Sequence, residues 1–300
     1  MTLRRWLTPL TCAALLGLAA PALAADPGGD LEAVRQRGVL RHLGVAYANF
    51  VTGGGDGFDV ELMTAFAAKL GVRYEYVATD WATAFPDLTG RKVSAKVALD
   101  KAEPAPVRGD VLANGVTILP WRAGAVAFST PYFPTQVWVM ARADSPVQPI
   151  RPSGDIKKDI DTVKVLLAQR SVLSVPSTCL DSGLYKLDAT GAKVTSMKLA
   201  LNEVAPVLLK GETDLSLLDV ADAMIALEKW PGKLKVLGPI SERQDMGVAF
   251  RRDSPQLRAA FDAFLAETRR NGTYDRLVAK YFPEAPAYFP DVFGKGAGGP

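Results

Sequence analysis

What most limits the folds open to this chain is an alternation of strand-like and helix-like segments, run through twice. Residues 39–47 and 72–77 read as strands on either side of a helix at 58–70, where Leu62, Phe66 and Leu70 share one face and Gly71 is the stop. Farther on, strand patterns at 136–143, 171–175, 214–219 and 234–237 alternate with helical spacing at 159–169, 202–210 and 221–230. A short helix over 31–37 with Gly38 as its cap precedes them, and two helices starting at Pro255 and Thr273 close the chain. Strands interleaved with helices place helices against sheets, so an α/β fold with two sheets, two lobes and a cleft between them is expected. The lobes are expected over 30–135 with 241–290 and over 136–240, with a disordered tail at 291–300.

The first 24 residues read as a leader rather than as part of the fold. Arg4 and Arg5 precede an apolar run, and residues 22–24 form an A-x-A cleavage site. Cys12 sits too early for a lipoprotein, with Pro9 where a lipobox wants Leu. No later stretch reaches the roughly 18 apolar residues of a membrane span. An exported, periplasmic chain is expected. Of 35 Lys and Arg against 32 Asp and Glu, the leader carries two positive charges, so the mature net charge is near +1. That balance excludes a nucleic-acid or membrane-surface footprint, and no nucleic-acid partner is expected.

Losing Cys12 leaves Cys179 without a partner in the chain, and His42 is the one histidine. Neither zinc ligation nor a histidine-based triad is expected, so there is no metal, no cofactor and no catalytic residue to assign. His42 reads as a core-edge residue of the first strand. Residues 53–57 (GGGDG) lack the Lys-Ser/Thr of a phosphate loop and read as a flexible turn.

Candidate binding groups gather over 114–132. Asn114, Thr117 and Arg122 bring an amide, a hydroxyl and a guanidinium to one short segment, the kinds of group that clamp a carboxylate. Pro120 biases Leu119 away from helix, which predicts Arg122 on a strand end or loop. An ordinary surface arginine beside a buried strand is the alternative. Tyr47 falls at the carboxyl end of the first strand, where ligands gather in open α/β sheets, and Trp81 opens a helix beside it. Residues 176–183 (PSTCLDSG) form a polar loop whose Ser177, Thr178 and Ser182 suit either an anion at a helix N-terminus or plain capping. Asp219 ends a strand with its carboxylate turned into the cleft. Residues 93–108 are irregular, with prolines and scattered charges, and read as a surface loop.

Residues 57–62 (GFDVEL), Asp80-Trp81, 109–111, 117–132, 214–219 and 271–275 (NGTYD) together make the chain similar to solute-binding protein family 3, the two-lobed periplasmic amino-acid-binding proteins of ABC importers. The likeness spans about 31–283. It implies a type II periplasmic binding fold whose lobes, joined by two crossing strands, close over the ligand by a hinge. It further implies that Tyr47 stacks on the ligand, that Thr117 and Arg122 hold its α-carboxylate, that Thr178 adds a contact from the second lobe, and that Asp219 takes the α-ammonium. A small zwitterionic or carboxylate ligand, a membrane permease and a monomeric state follow as expectations.

Leu119, Trp121, Asn114-Gly115 and Cys179 depart from the family pattern, and 93–108 looks like an insertion near the cleft rim. Tyr47, Phe50, Trp81 and Trp138 would favour an apolar or cationic ligand side chain. Two other readings stay open. One is a cyclohexadienyl dehydratase-like enzyme, with Arg122 as clamp and Glu203 or Asp181 as acid. The other is an accessory or sensory protein docking on a periplasmic dehydrogenase or receptor. A lytic enzyme of related N-terminal architecture is not expected from a chain of this length.

Overall fold

The computed structural model describes residues 30–293, and the expected leader lies outside them. The first sheet is built from β1 (Val39–Gly44), β2 (Arg73–Ala78), β3 (Val111–Leu112), β4 (Ala127–Phe128) and a late strand reached below, in the order β2-β1-β3-late strand-β4. Helix α1 (Leu31–Arg37) precedes β1, and α2 (Phe58–Leu70), α3 (Ala84–Thr89) and α4 (Pro120–Ala125) lie in the connections that follow. The second sheet holds β6 (Val137–Arg142), β7 (Ser171–Ser174), β8 (Lys193–Ser196), β9 (Leu215–Asp219) and β10 (Leu234–Pro239), ordered β10-β6-β9-β7-β8. Helices α5 (Ile156–Val165), α6 (Val204–Lys210) and α7 (Val220–Lys229) pack on it.

Between the sheets lies a two-stranded antiparallel ribbon of β5 (Phe133–Thr135) and β11 (Gln244–Met246). The chain crosses once along each strand. It returns to the first sheet as β12 (Ala249–Phe250), the late strand, which pairs antiparallel with both β3 and β4. Then α8 (Pro255–Arg270) and α9 (Thr273–Tyr281) cover that sheet, with Phe66 of α2 packed on Phe261 and Phe264. The opposite face is covered by a second cluster that includes Leu43, Phe85, Leu88 and Leu112. With both faces covered, the first sheet leaves only its strand ends to meet the second lobe.

The chain ends in α10 (Ala285–Tyr288) and α11 (Pro290–Phe293), whose Phe293 packs on Phe133 of the ribbon. Part of the expected tail is therefore a helix held by an aromatic contact, and 294–300 lie outside the described residues. His42 is fully buried rather than at a core edge, set between the Tyr74 hydroxyl and the Ala113 carbonyl, and burial draws its imidazole down to about 4. It stays neutral at ordinary pH.

After the two residues of β4, Ser129 and Tyr132 N–H donate to the Val248 and Met246 carbonyls on the returning chain. No helix is long and apolar enough to cross a membrane among the described residues.

Candidate functional site

The segment after β3 runs alongside the ribbon. Thr117 bridges Met246 of β11, and Ile118 N–H donates to the Asp245 carbonyl. Gly115 makes the turn with φ +62, and a Cβ there would press on the Phe50 ring at 2.4 Å. Pro120 then starts α4 as its first residue, and Arg122 lies within that helix rather than on a strand end or loop. The expectation failed because proline's fixed φ suits the first helical turn, where the missing N–H costs nothing, while the extended Leu119 becomes the N-cap.

Arg122 is completely buried. Its Nη1 donates to the Thr117 carbonyl at 3.0 Å, whereas Nε and Nη2 have no partner. Three rings surround the guanidinium, with centroids 5.1 Å (Trp81), 5.2 Å (Phe85) and 5.5 Å (Trp121) from Cζ. Aromatic faces of this kind hold a cation in place without using its hydrogen-bond donors. Trp121, one of the departures from the family pattern, thus forms part of the cage. Desolvation draws the guanidinium down to about 10, still cationic at neutral pH.

The second lobe answers with the carboxyl end of β9. Asp219 is fully buried; its Oδ1 accepts from Thr135 Oγ1 at 2.6 Å and from Ala221 N–H at 3.1 Å, which makes it the N-cap of α7. Its Oδ2 receives only the Cys179 thiol at 3.7 Å. Burial pushes the Asp219 carboxyl up from the usual range, against the lowering effect of these bonds. From the first lobe, Tyr47 turns its hydroxyl toward Asp219 without completing a hydrogen bond, and its ring meets Trp81 edge-on at 6.1 Å. Cys179 feels Asp219, Arg122 and Asp222 together, and burial pushes its thiol well up. It faces the cleft as a neutral thiol.

The structure therefore brings Tyr47, Trp81, Thr117, Arg122 and Asp219 to one place, at the strand ends where the lobes meet. Asn114 is buried on the same connection, with both amide atoms unpaired. Thr178 behaves differently. Its hydroxyl donates to the Val175 carbonyl at 2.7 Å and accepts from Leu180 N–H at 3.0 Å, so its proton is already spent inside its own loop. That loop leads into a four-residue 3-10 helix, Ser182–Tyr185, capped by Asp181, and not into a helix able to hold an anion. Phe50 and Trp138 are packing residues: Phe50 lies in a cluster with Phe58, Tyr132 and Phe282, and Trp138 lies against Tyr288.

Sequence reasoning missed Phe85 and Asp222. Phe85 looked like any core position of a short helix. Asp222 looked like an ordinary first-turn acid, yet it is buried and its Oδ2 has no partner. Ser177 (φ +66) and Ala48 (φ +46) adopt left-handed backbone on either side of the cleft, a conformation that costs non-glycine residues energy and clusters at binding sites.

Residues 93–108 fold into short bridges and a 3-10 turn, Leu99–Lys101. This stretch lines a 490 Å³ hollow with Gly124, Ala125 and 251–253, at the far end of α4 from the ribbon.

Compared with known proteins, the chain matches the bacterial extracellular solute-binding proteins, family 3, over residues 46–100 and 97–284, the match breaking within the irregular loop. The L-cystine-binding protein TcyJ of Escherichia coli is 27% identical over 281 residues, 90% of this chain and 94% of that protein. The lysine/arginine/ornithine-binding periplasmic protein of the same organism is 25% identical over 233 residues, 75% of this chain and 78% of that one. Among solved structures, a P235GK mutant of ArgBP from T. maritima is 26% identical, with a TM-score of 0.67 over 84% of this chain and 99% of that one. All three relatives are named as binding proteins. A match over most of the described chain places this protein in the bacterial extracellular solute-binding proteins, family 3.

Proposed function

We propose that the protein captures a small amino-acid-like solute in the periplasm and delivers it to the permease of an ABC importer, as a monomer and without catalysing a reaction on it. The observation that carries this reading is the set of unpaired polar atoms sealed in the cleft. On one lobe they are donors: Arg122 Nε and Nη2 and Trp81 Nε1. On the other, Asp219 Oδ2 receives only a weak thiol bond.

Buried polar groups in folded proteins are nearly always paired, and an unpaired one costs about 1–3 kcal/mol. Donors facing acceptors across a closable gap suit a molecule with a carboxylate at one end and an ammonium at the other. In this reading Arg122 and Thr117 hold the carboxylate, Asp219 takes the ammonium, Tyr47 and Trp81 flank the body, and Asn114 turns its amide to either end. Cys179 occupies the second-lobe position expected of Thr178. The lobes would be 30–135 with 241–290 and 136–240, hinged at the β5–β11 ribbon. The names of the relatives, which speak of cystine, lysine, arginine and ornithine, support the amino-acid class.

The test is a thermal-shift screen of the mature protein against amino acids, polyamines, keto acids and prephenate. A ligand at about 100 times its dissociation constant adds roughly 2.7 kcal/mol of stability. Stabilisation by α-amino acids, lost when either the amino or the carboxylate group is blocked, is the expected result. Silence across the amino acids would overturn the reading, and turnover of prephenate or arogenate would replace it with an enzyme.

A further inference from the structure

The clamp described so far uses one cation and one carboxylate, but the cleft holds a second carboxylate. Asp222 lies in the first turn of α7, one turn beyond Asp219, and is 7% exposed with Oδ2 unpartnered. First-turn acids are common because the helix N-terminus carries about half a positive charge, but they ordinarily stand in water. Asp222 does not. It lies close enough to the Tyr47 hydroxyl and the Cys179 thiol to disfavour ionisation of both, and the charge of Asp219 acts on it in turn.

It also lines a cavity of about 80 Å³, together with Ala48 of the first lobe and Leu218, Ile225, Lys229 and Trp230 of the second. A water-sized group fills about 30 Å³, so this space takes an ammonium and a methylene or two once the lobes meet. Lys229, the other charge at its edge, is exposed with Nζ 4.8 Å from the Trp230 ring centroid, where solvent screens it.

The cleft holds one cation, Arg122, against two carboxyl groups, Asp219 and Asp222. Burial, with the charge of Asp219 beside it, pushes the Asp222 carboxyl well up, so it keeps its proton while nothing cationic faces it. A zwitterion with a neutral side chain satisfies Arg122 and Asp219 and leaves Asp222 Oδ2 unpartnered. A second cation on the ligand draws that proton off and pairs with the carboxylate it leaves.

We propose that Asp222, at the mouth of the cavity between Ala48 and Trp230, is a side-chain subsite that selects ligands carrying a second positive charge, an ammonium or guanidinium a few methylenes from the α-carbon. The subsite rests on the amino-acid reading above, and it adds the substrate class.

The experiment pairs isosteres on the wild-type protein by calorimetry: lysine against norleucine, and arginine against citrulline. The charged member of at least one pair is expected to bind roughly 30-fold or more tightly, the scale of a buried charge pair. Asp222→Asn keeps the shape and removes the charge. It should bring that ratio close to one while leaving the affinity for the neutral member within a few-fold. Equal binding of both isosteres to the wild type overturns the subsite and leaves the amino-acid reading standing. So does a ratio unchanged in Asp222→Asn. If that variant fails to fold, the wild-type isostere ratios decide by themselves. Absence of binding by all four overturns both inferences.

Discussion

At the scale of single residues, Arg122 and Asp219 do different work from ordinary buried ions, because neither is neutralised by a protein partner on hand. Arg122 is held by three rings and one carbonyl, leaving two donors pointed at the cleft. Arg122→Ala should weaken ligand binding by at least roughly 2 kcal/mol, the scale of a charge-assisted hydrogen bond. Arg122→Lys should fail to restore it, since an ammonium lacks both the planar fork and the flat face that the rings stack on. Calorimetric titration of the best ligand from the screen checks both, and retained affinity in Arg122→Ala would remove the carboxylate clamp.

Asp219 has a second duty as the N-cap of α7 and the acceptor for Thr135, so Asp219→Ala confounds binding with about 1 kcal/mol of lost capping. Asp219→Asn keeps an acceptor oxygen for both bonds. Its melting temperature should stay near wild type while binding of α-amino ligands falls by roughly 2 kcal/mol or more. A matching affinity would show that the ammonium is held elsewhere. The residue types of the proposed clamp could be read from the sequence, since arginine, threonine and a strand-end aspartate announce their chemistry. Which hydroxyl is free could not, because Thr178 differs from a binding threonine only in where its own loop places Val175 and Leu180.

At the scale of elements, what was legible depended on length. Helix 58–70 and the strands of five or six residues carry enough periods to show a buried face. The ribbon strands β5 and β11 have three residues each and show none, although they decide where the lobes meet. The placement of Arg122 was misread for a related reason: a six-residue helix opened by proline has too little pattern to outweigh a proline signal.

One buried contact joins these elements. Asp59 in the first turn of α2 accepts from Gly115 N–H at 2.8 Å and from the Tyr132 hydroxyl at 2.7 Å, tying the helix to the binding segment and to the chain entering β5. Desolvation pushes its carboxyl up to about 7, against the lowering effect of both bonds. The folded state therefore binds this proton more tightly than the unfolded chain, whose aspartates titrate near 4. The stability contributed by protonated Asp59 is fully present below about pH 4, declines as the pH rises, and is lost by about pH 7, a swing of a few kcal/mol. Asp59→Asn should remove that component, so its urea midpoint should fall less than that of wild type between pH 5 and pH 8. Parallel pH profiles for the two proteins would show that Asp59 keeps an ordinary acidity.

At the scale of the whole molecule, the proposed function makes closure and ligand binding one event. The closed arrangement buries Arg122 and Asp219 with unpaired or weakly paired atoms, alongside Tyr47, Trp81, Asn114 and Asp222. At about 1–3 kcal/mol for each unpaired group, a closed cleft with nothing to pair them is several kcal/mol less favourable than one whose groups reach water. The crossover connections are only three-residue strands, braced by the C-terminal helices through Phe293 on Phe133 and Tyr288 on Trp138.

The chain without ligand should accordingly be open in solution, and ligand should shift it to the compact form by its preference for the closed lobes. Small-angle scattering should show a smaller radius of gyration when saturating ligand is added. Arg122→Met combined with Asp219→Asn provides the control: it removes both charges that resist burial, so its radius should lie nearer the compact value without ligand and change little when ligand is added. A wild-type radius that ligand leaves unchanged would mean that the closed form is the resting state. Binding would then have to draw its energy from contacts inside a preformed cleft instead of from bringing the lobes together.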